Sequence, residues 1–127
     1  MLKSKKDHFI LLARVLLSAI FLFSAFSKFS NIPDTVAYMQ AAGLGGGALL
    51  AWVAALVEGL AALALLTGFY ADRAAFVLVL YLLPVTYFFH FEPGEGMQTF
   101  HLLKNLAIMG GLLQVTACGG GRYAFRS

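Results

Sequence analysis

The sequence contains one cysteine, Cys118. A single thiol forms neither an internal disulfide nor a Cys-x-x-Cys pair, so dithiol chemistry within this chain is not expected. Charge is scarce too, at 12% of 127 residues. The net charge of +3 is spread over the ends of apolar segments. No cluster is dense enough to neutralise a phosphate backbone, and nucleic acid is not expected as a partner. The period-two alternation of barrel strands is missing, and no polar stretch is long enough to form a separate soluble domain.

What fills the chain instead is apolar. Hydrophobic residues make up 61% of it, and the mean hydropathy is +0.83. A folded chain of this size exposes a large fraction of its surface, so in water much of that material would stay wet. Lipid is the solvent that suits it. A hydrocarbon core about 30 Å thick is crossed by roughly 20 apolar residues rising about 1.5 Å each. Segments of that length cover about 9–29, 48–69, 74–91 and 99–118. They predict an all-α fold, an integral membrane four-helix bundle in a single domain over 1–127.

Turn chemistry separates the segments. Lys3, Lys5 and Lys6 precede the first one as in a secretory signal, but Arg14 splits the apolar stretch, and it reads as a retained helix. Asn31, Ile32, Pro33 and Asp34 open a short segment carrying Tyr38 and Met39, which ends at Gly43, Gly45, Gly46 and Gly47. Asp72 and Arg73 make a tight connection, Glu92 to Gly96 a second break, and Gly119 to Gly121 stop the last helix. With both termini on one side, Lys3, Lys5, Lys6, Arg73, Arg122 and Arg126 share that side, while Lys28 and Lys104 oppose them. The positive-inside rule then predicts N- and C-termini in the cytoplasm.

An ionisable side chain near the bilayer centre costs at least about 2.5 kcal/mol on insertion scales, so each one needs a partner or a purpose. Glu58 is the deepest, about eleven residues into its segment and near mid-membrane at about 1.5 Å per residue. Ala51, Ala54, Ala55, Ala61 and Ala62 share its face, and small residues let another helix approach, so the carboxylate is expected inside the bundle. Arg14, Ser18, Phe21, Ala25 and Lys28 follow a four-three spacing that sets both cations on one stripe, about 21 Å apart. On the last segment His101, Lys104, Ile108, Gly111, Val115 and Cys118 form a row, with Asn105 and Gln114 on neighbouring faces. Convergence of these rows would put Glu58 between Arg14 and Lys104 in depth. Two readings stay open: Glu58 fixes helix register through Arg14 or Lys104, or the cluster lines an outward-opening pocket for a small ligand or a proton.

Pro84, in mid-segment, cannot donate to the Leu80 carbonyl and should kink its helix, either for packing or to open ligand space. His90 and His101 flank the acidic loop with Glu92 and Glu95, but their spacing matches no metal motif and no metal is expected. Tyr87, Phe88, Phe89, Phe91 and Phe100 read as a headgroup belt. No two histidines lie deep on facing helices, which disfavours haem.

Several stretches taken in order resemble a known family. They are Arg14 with the Lys28 segment; Tyr38 to Gly43; Val57, Glu58 and Gly59 leading to Leu65, Leu66, Thr67, Gly68 and Phe69; and Leu102 to Gly110 and Gly111 through Lys104 and Asn105. Together they resemble the DoxX family, over nearly the whole chain. The resemblance implies a four-helix protein of the bacterial inner membrane. It also implies a link to respiratory quinol oxidation, to thiosulfate and quinone chemistry through DoxD relatives, and to membrane oxidoreductase complexes. The family usually ends in a Gly-Pro-Gly turn with a nearby Ser and Asp; this chain departs with Gly119, Gly120, Gly121, Arg122 and Tyr123, and with Arg126 where an acid would stand.

Two functions of different class follow. The first is a redox-associated subunit that binds a quinone or similar amphiphile between helices. Its ligand or proton pocket would draw on Arg14, Lys28, Glu58, His90, His101, Lys104 and Asn105, with Glu58 and Lys104 polarising the head group. No catalytic residue is assigned and no covalently bound cofactor is expected; electrons would come from a partner. The second is a structural or assembly subunit of a larger membrane complex. A transporter is disfavoured because the segments show no convincing inverted repeat. Expected partners are membrane lipid and either a larger complex or further copies of the chain.

Overall fold

A computed structural model of the protein describes residues 2–90 and 96–126, with side chains described except at 88–90 and 96–98. A 3-10 turn, Leu2–Lys5, leads into α1 (Lys6–Ser30), followed by α2 (Ile32–Ala41), α3 (Gly47–Thr67), α4 (Ala71–His90) and α5 (Gly96–Cys118). The fold is all-helical; among the described residues the only strand-like pairing is an isolated bridge between Phe69 and Arg126. The long helices correspond to the four segments expected from hydropathy. α2 is the short segment after Asn31. The Asn31 side chain accepts the Asp34 amide at 3.2 Å, with proline in the first turn, so α2 starts one residue after α1 stops.

Each long helix buries one face at three and four residue spacing. On α1 that face is Arg14, Ser18, Phe21 and Ala25; on α3 it is Ala51, Ala55, Glu58, Ala62 and Leu65. The α1 face is the expected row up to Ala25, with Lys28 only partly buried; on α3 Ala51, Ala55 and Ala62 are buried as expected, while Ala54 and Ala61 are only partly so and Leu65 joins them. On α5 the buried face is Asn105, Met109, Leu112 and Val115. This corrects the expected row through Lys104, Ile108 and Gly111 by one position, about 100° around the helix, so Asn105 and not Lys104 is the inward polar residue. α4 runs through Pro84 as one helix.

α1 packs on α3, α3 on α4, α4 on α5, and α5 returns to α1; α2 lies against α1 and α3. The shared core includes Phe21, Leu65, Leu78, Leu82, Met109 and Leu112. Outward faces are at least as apolar as the core. Phe23 is 75% exposed, Phe26 72% and Leu49 76%, an arrangement opposite to that of a water-soluble domain. α1 and α3 are each long and apolar enough to cross a bilayer.

One end of the molecule gathers both termini. The Asp7 carboxylate accepts the Arg122 amide at 3.1 Å, and the His8 and Tyr123 rings meet edge-on at 5.4 Å. The Phe125 amide donates to the Thr67 carbonyl at 3.1 Å, and the Tyr70 amide to the Arg126 carbonyl at 2.7 Å. The chain after α5 is therefore a strap across the α3–α4 connection. At the opposite end, α2 and the 42–46 loop join α1 to α3.

Candidate ligand groove and its ion pair

Side chains on a helix lean toward its N-terminus. α1 and α3 run antiparallel, so a long side chain on α1 and one on α3 can lean toward each other from different depths. Lys28 and Glu58 do this: Lys28 Nζ donates to Glu58 Oε1 at 2.9 Å and to Ser24 Oγ, one helical turn back, at 2.7 Å. The Glu58 side chain is 4% exposed and that of Lys28 25% exposed. The carboxylate is sealed, while its cation borders open space.

That space is a groove of about 830 Å³ between the far end of α1, α2, the first half of α3 and the middle of α4. Its size falls in the range of small-molecule sites, roughly 300–1,000 Å³. Phe23, Leu50, Val53, Val57 and Pro84 make apolar walls. Polar groups come from three elements: Ser24, Ser27 and Lys28 on α1, Asn31, Asp34, Thr35 and Tyr38 at and within α2, and Tyr81 on α4. The wall at Pro84 is where α4 lacks a backbone donor.

The expected site residues separate into different places. Lys28 lines the groove and Glu58 stands behind it. Arg14, expected as a partner of Glu58, is fully buried and turned to the end of α3 instead. Its Nη1 donates to the carbonyls of Leu65 (3.3 Å) and Leu66 (3.1 Å), and its Nη2 to the Tyr123 carbonyl (2.8 Å). The last carbonyls of a helix lack intrahelical donors and carry its negative dipole end, so a buried guanidinium finds both charge and hydrogen-bond complement there. Lys104, expected above Glu58, is half-buried on α5 with no ion pair or hydrogen bond among the described residues. Among the described residues α3 and α5 stand diagonally and do not pack on each other. Asn105 donates to Thr86 Oγ1 at 3.1 Å, a buried α4–α5 tie. His101 is half-buried beside Phe100, their rings 6.0 Å apart. The side chain of His90, with Glu92 and Glu95, lies outside the described residues. The expected convergence of Arg14, Glu58 and Lys104 on one cavity is thus replaced by a Lys28–Glu58 site and a separate Arg14 clasp.

Sequence reasoning passed over Ser24 as a second acceptor for Lys28, although its four-residue spacing on α1 signals the contact. Among the described residues there is no cluster of three or more His, Cys, Asp or Glu side chains that would hold a metal ion.

The DoxX family pattern matches residues 9–91. The inner membrane protein YqjF of Escherichia coli strain K12 is 31% identical over 123 residues, covering 97% of this chain and 93% of that protein. No solved structure matches significantly. A family match across α1 to α4 and a relative aligned over nearly the full length, with the apolar exterior already described, establish that the chain belongs to the DoxX family of membrane proteins.

Proposed function

We propose that this chain is a multi-pass inner-membrane protein whose long helices form a membrane-spanning four-helix bundle, with both termini in the cytoplasm. In that setting the groove opens toward the periplasmic side and takes a quinone or similar amphiphile, and the chain serves a membrane oxidoreductase system. The observation that carries the reading is a sealed carboxylate paired to a half-accessible lysine at the edge of an apolar groove of about 830 Å³.

The donor set suits such a head group. A quinone presents carbonyl oxygens that accept hydrogen bonds, and the Lys28 ammonium and the Ser24, Ser27 and Tyr81 hydroxyls supply donors along the groove. The apolar walls suit its tail. Bound there, a quinone supplies two-electron redox chemistry. The part of this chain is to orient the head group and to hold the Lys28 proton against Glu58.

Trp52, the single tryptophan, lies one position from the groove residue Val53 and reports on occupancy. Decylubiquinone titrated into the purified chain in nanodiscs should quench its fluorescence saturably, and Glu58→Gln or Lys28→Gln should weaken the apparent affinity about tenfold, as loss of a charge-assisted contact does. Non-saturable quenching, indifferent to both variants, would overturn the reading in favour of a structural or assembly subunit.

A further inference from the structure

A second cavity, of about 630 Å³, lies between α1 and α5 on the half of the molecule that holds the termini. At its inner end Leu17 meets Gly111, where a β-carbon on the glycine would stand 3.2 Å from Leu17 Cδ2. From that contact the cavity runs along α1 to Lys6 and along α5 to Gly119. The walls are apolar, with Phe9, Ile10, Ala13 and Val115 among them, and Lys6 stands at the mouth.

Its dimensions fit one leaflet. From Lys6 to Leu17 the α1 axis rises about 16 Å at about 1.5 Å per residue, close to half of a hydrocarbon core of about 30 Å. Its charge is one-sided. Lys3 and Lys5 are exposed on the turn that precedes Lys6. The adjacent acid, Asp7, does not line the cavity; its Oδ1 accepts the Arg122 amide of the C-terminal strap. An apolar slot one leaflet deep with Lys6 in its lining, and with Lys3 and Lys5 outnumbering Asp7 in the adjoining turn, complements an anionic amphiphile.

We infer that this groove holds one acyl chain of an anionic phospholipid from the cytoplasmic leaflet, with Lys6 at the headgroup phosphate. The site rests on the proposed membrane orientation and is independent of any quinone in the opposite groove. The phosphate replaces water at Lys6 and the chain covers the α1–α5 seam between Lys6 and the Leu17–Gly111 contact. An anionic headgroup distinguishes this site from the general lipid contact of the outer faces.

Native mass spectrometry of the full chain, extracted from nanodiscs of equal phosphatidylglycerol and phosphatidylethanolamine, tests it. Phosphatidylglycerol should be retained preferentially. Lys6→Glu, at an exposed position, should lower that retention about tenfold, and Ala13→Phe, which fills the slot without removing charge, should lower it as well. Lys6→Glu should leave the saturable quinone quenching unchanged, so failure of the quinone reading and failure of this one are read separately. Equal retention of the two lipids, or retention indifferent to Lys6→Glu and Ala13→Phe, overturns the inference.

Discussion

Removing one partner of a buried ion pair leaves the other partner uncompensated, and the cost depends on where the survivor can go. After Glu58→Gln, Lys28 already borders the groove and its ammonium can swing into it. After Lys28→Met, Glu58 is left sealed at 4% exposure with no cation to answer it. Breaking a buried pair costs about 3–5 kcal/mol, so Lys28→Met should lie in that range and Glu58→Gln below it. The double variant should cost less than the two singles summed, with a coupling of about 1–3 kcal/mol. Equilibrium unfolding in detergent, run on all four proteins of the cycle, reads this; additive single effects would mean that the pair does not act as one. Sequence alone reached the burial of Glu58, because alanines at its own helical spacing mark a face that another helix covers. It did not reach the partner. Spacing gives each Cα a stripe and a depth but not the reach of its side chain, and the lean of each side chain along its helix brings Lys28 and Glu58 together from different heights.

At the scale of elements, the end of α3 joins distant parts of the chain, through Arg14 on α1 and the strap after α5. Gly68 takes φ +81°, and a β-carbon there would stand 2.5 Å from both Ala124 Cα and Arg14 Nη1. The glycine is therefore required twice, for its backbone conformation and for the passage of the strap. Gly68→Ala should destabilise the protein by about 2 kcal/mol or more and loosen the strap first. Arg14→Lys keeps the charge but loses the fork that joins Leu65 and Leu66 to Tyr123. Both variants should raise hydrogen-exchange rates at the Phe125 and Arg126 amides, which donate to Thr67 and Gly68. Unchanged exchange at those amides in either variant would show that the strap holds without the clasp. Of the stops at Gly68 and after Cys118, hydropathy carried the first of these segments on to Phe69, while the second stop was legible from its glycine run. That the second stop sends the chain back across the first was not, because the strap is held by contacts between residues more than fifty positions apart, as in Arg126 to Tyr70 and Arg14 to Tyr123. The same non-locality displaced Arg14 from its expected place beside Glu58.

For the whole molecule, the proposed direction in the membrane rests on the distribution of charge and apolar surface. The end that holds the termini and the α3–α4 connection carries Lys3, Lys5, Lys6, Arg73, Arg122 and Arg126, while α2 and the 42–46 loop occupy the other. Cations at that end favour its retention in the cytoplasm, and in the proposed orientation exposed side chains such as Phe26 and Leu60 would meet acyl chains between the two. The opposed orientation would carry those cations across the membrane and bring the lysines at the mouth of the α1–α5 groove to the leaflet with less anionic lipid. Cysteine labelling separates the two arrangements, because Cys118 is the only native thiol. In a Cys118→Ser background, Gly45→Cys places a thiol where a β-carbon meets no other atom within 4 Å, and it should react with a membrane-impermeant maleimide in intact cells once the outer membrane is opened. Ser4→Cys should react only after the inner membrane is also permeabilised. The reverse pattern would invert the bundle and move the open side of the Lys28 groove to the cytoplasm; equal labelling of both positions in intact cells would mean that the chain does not span the membrane at all, and Glu58 would then be buried from water and not from lipid.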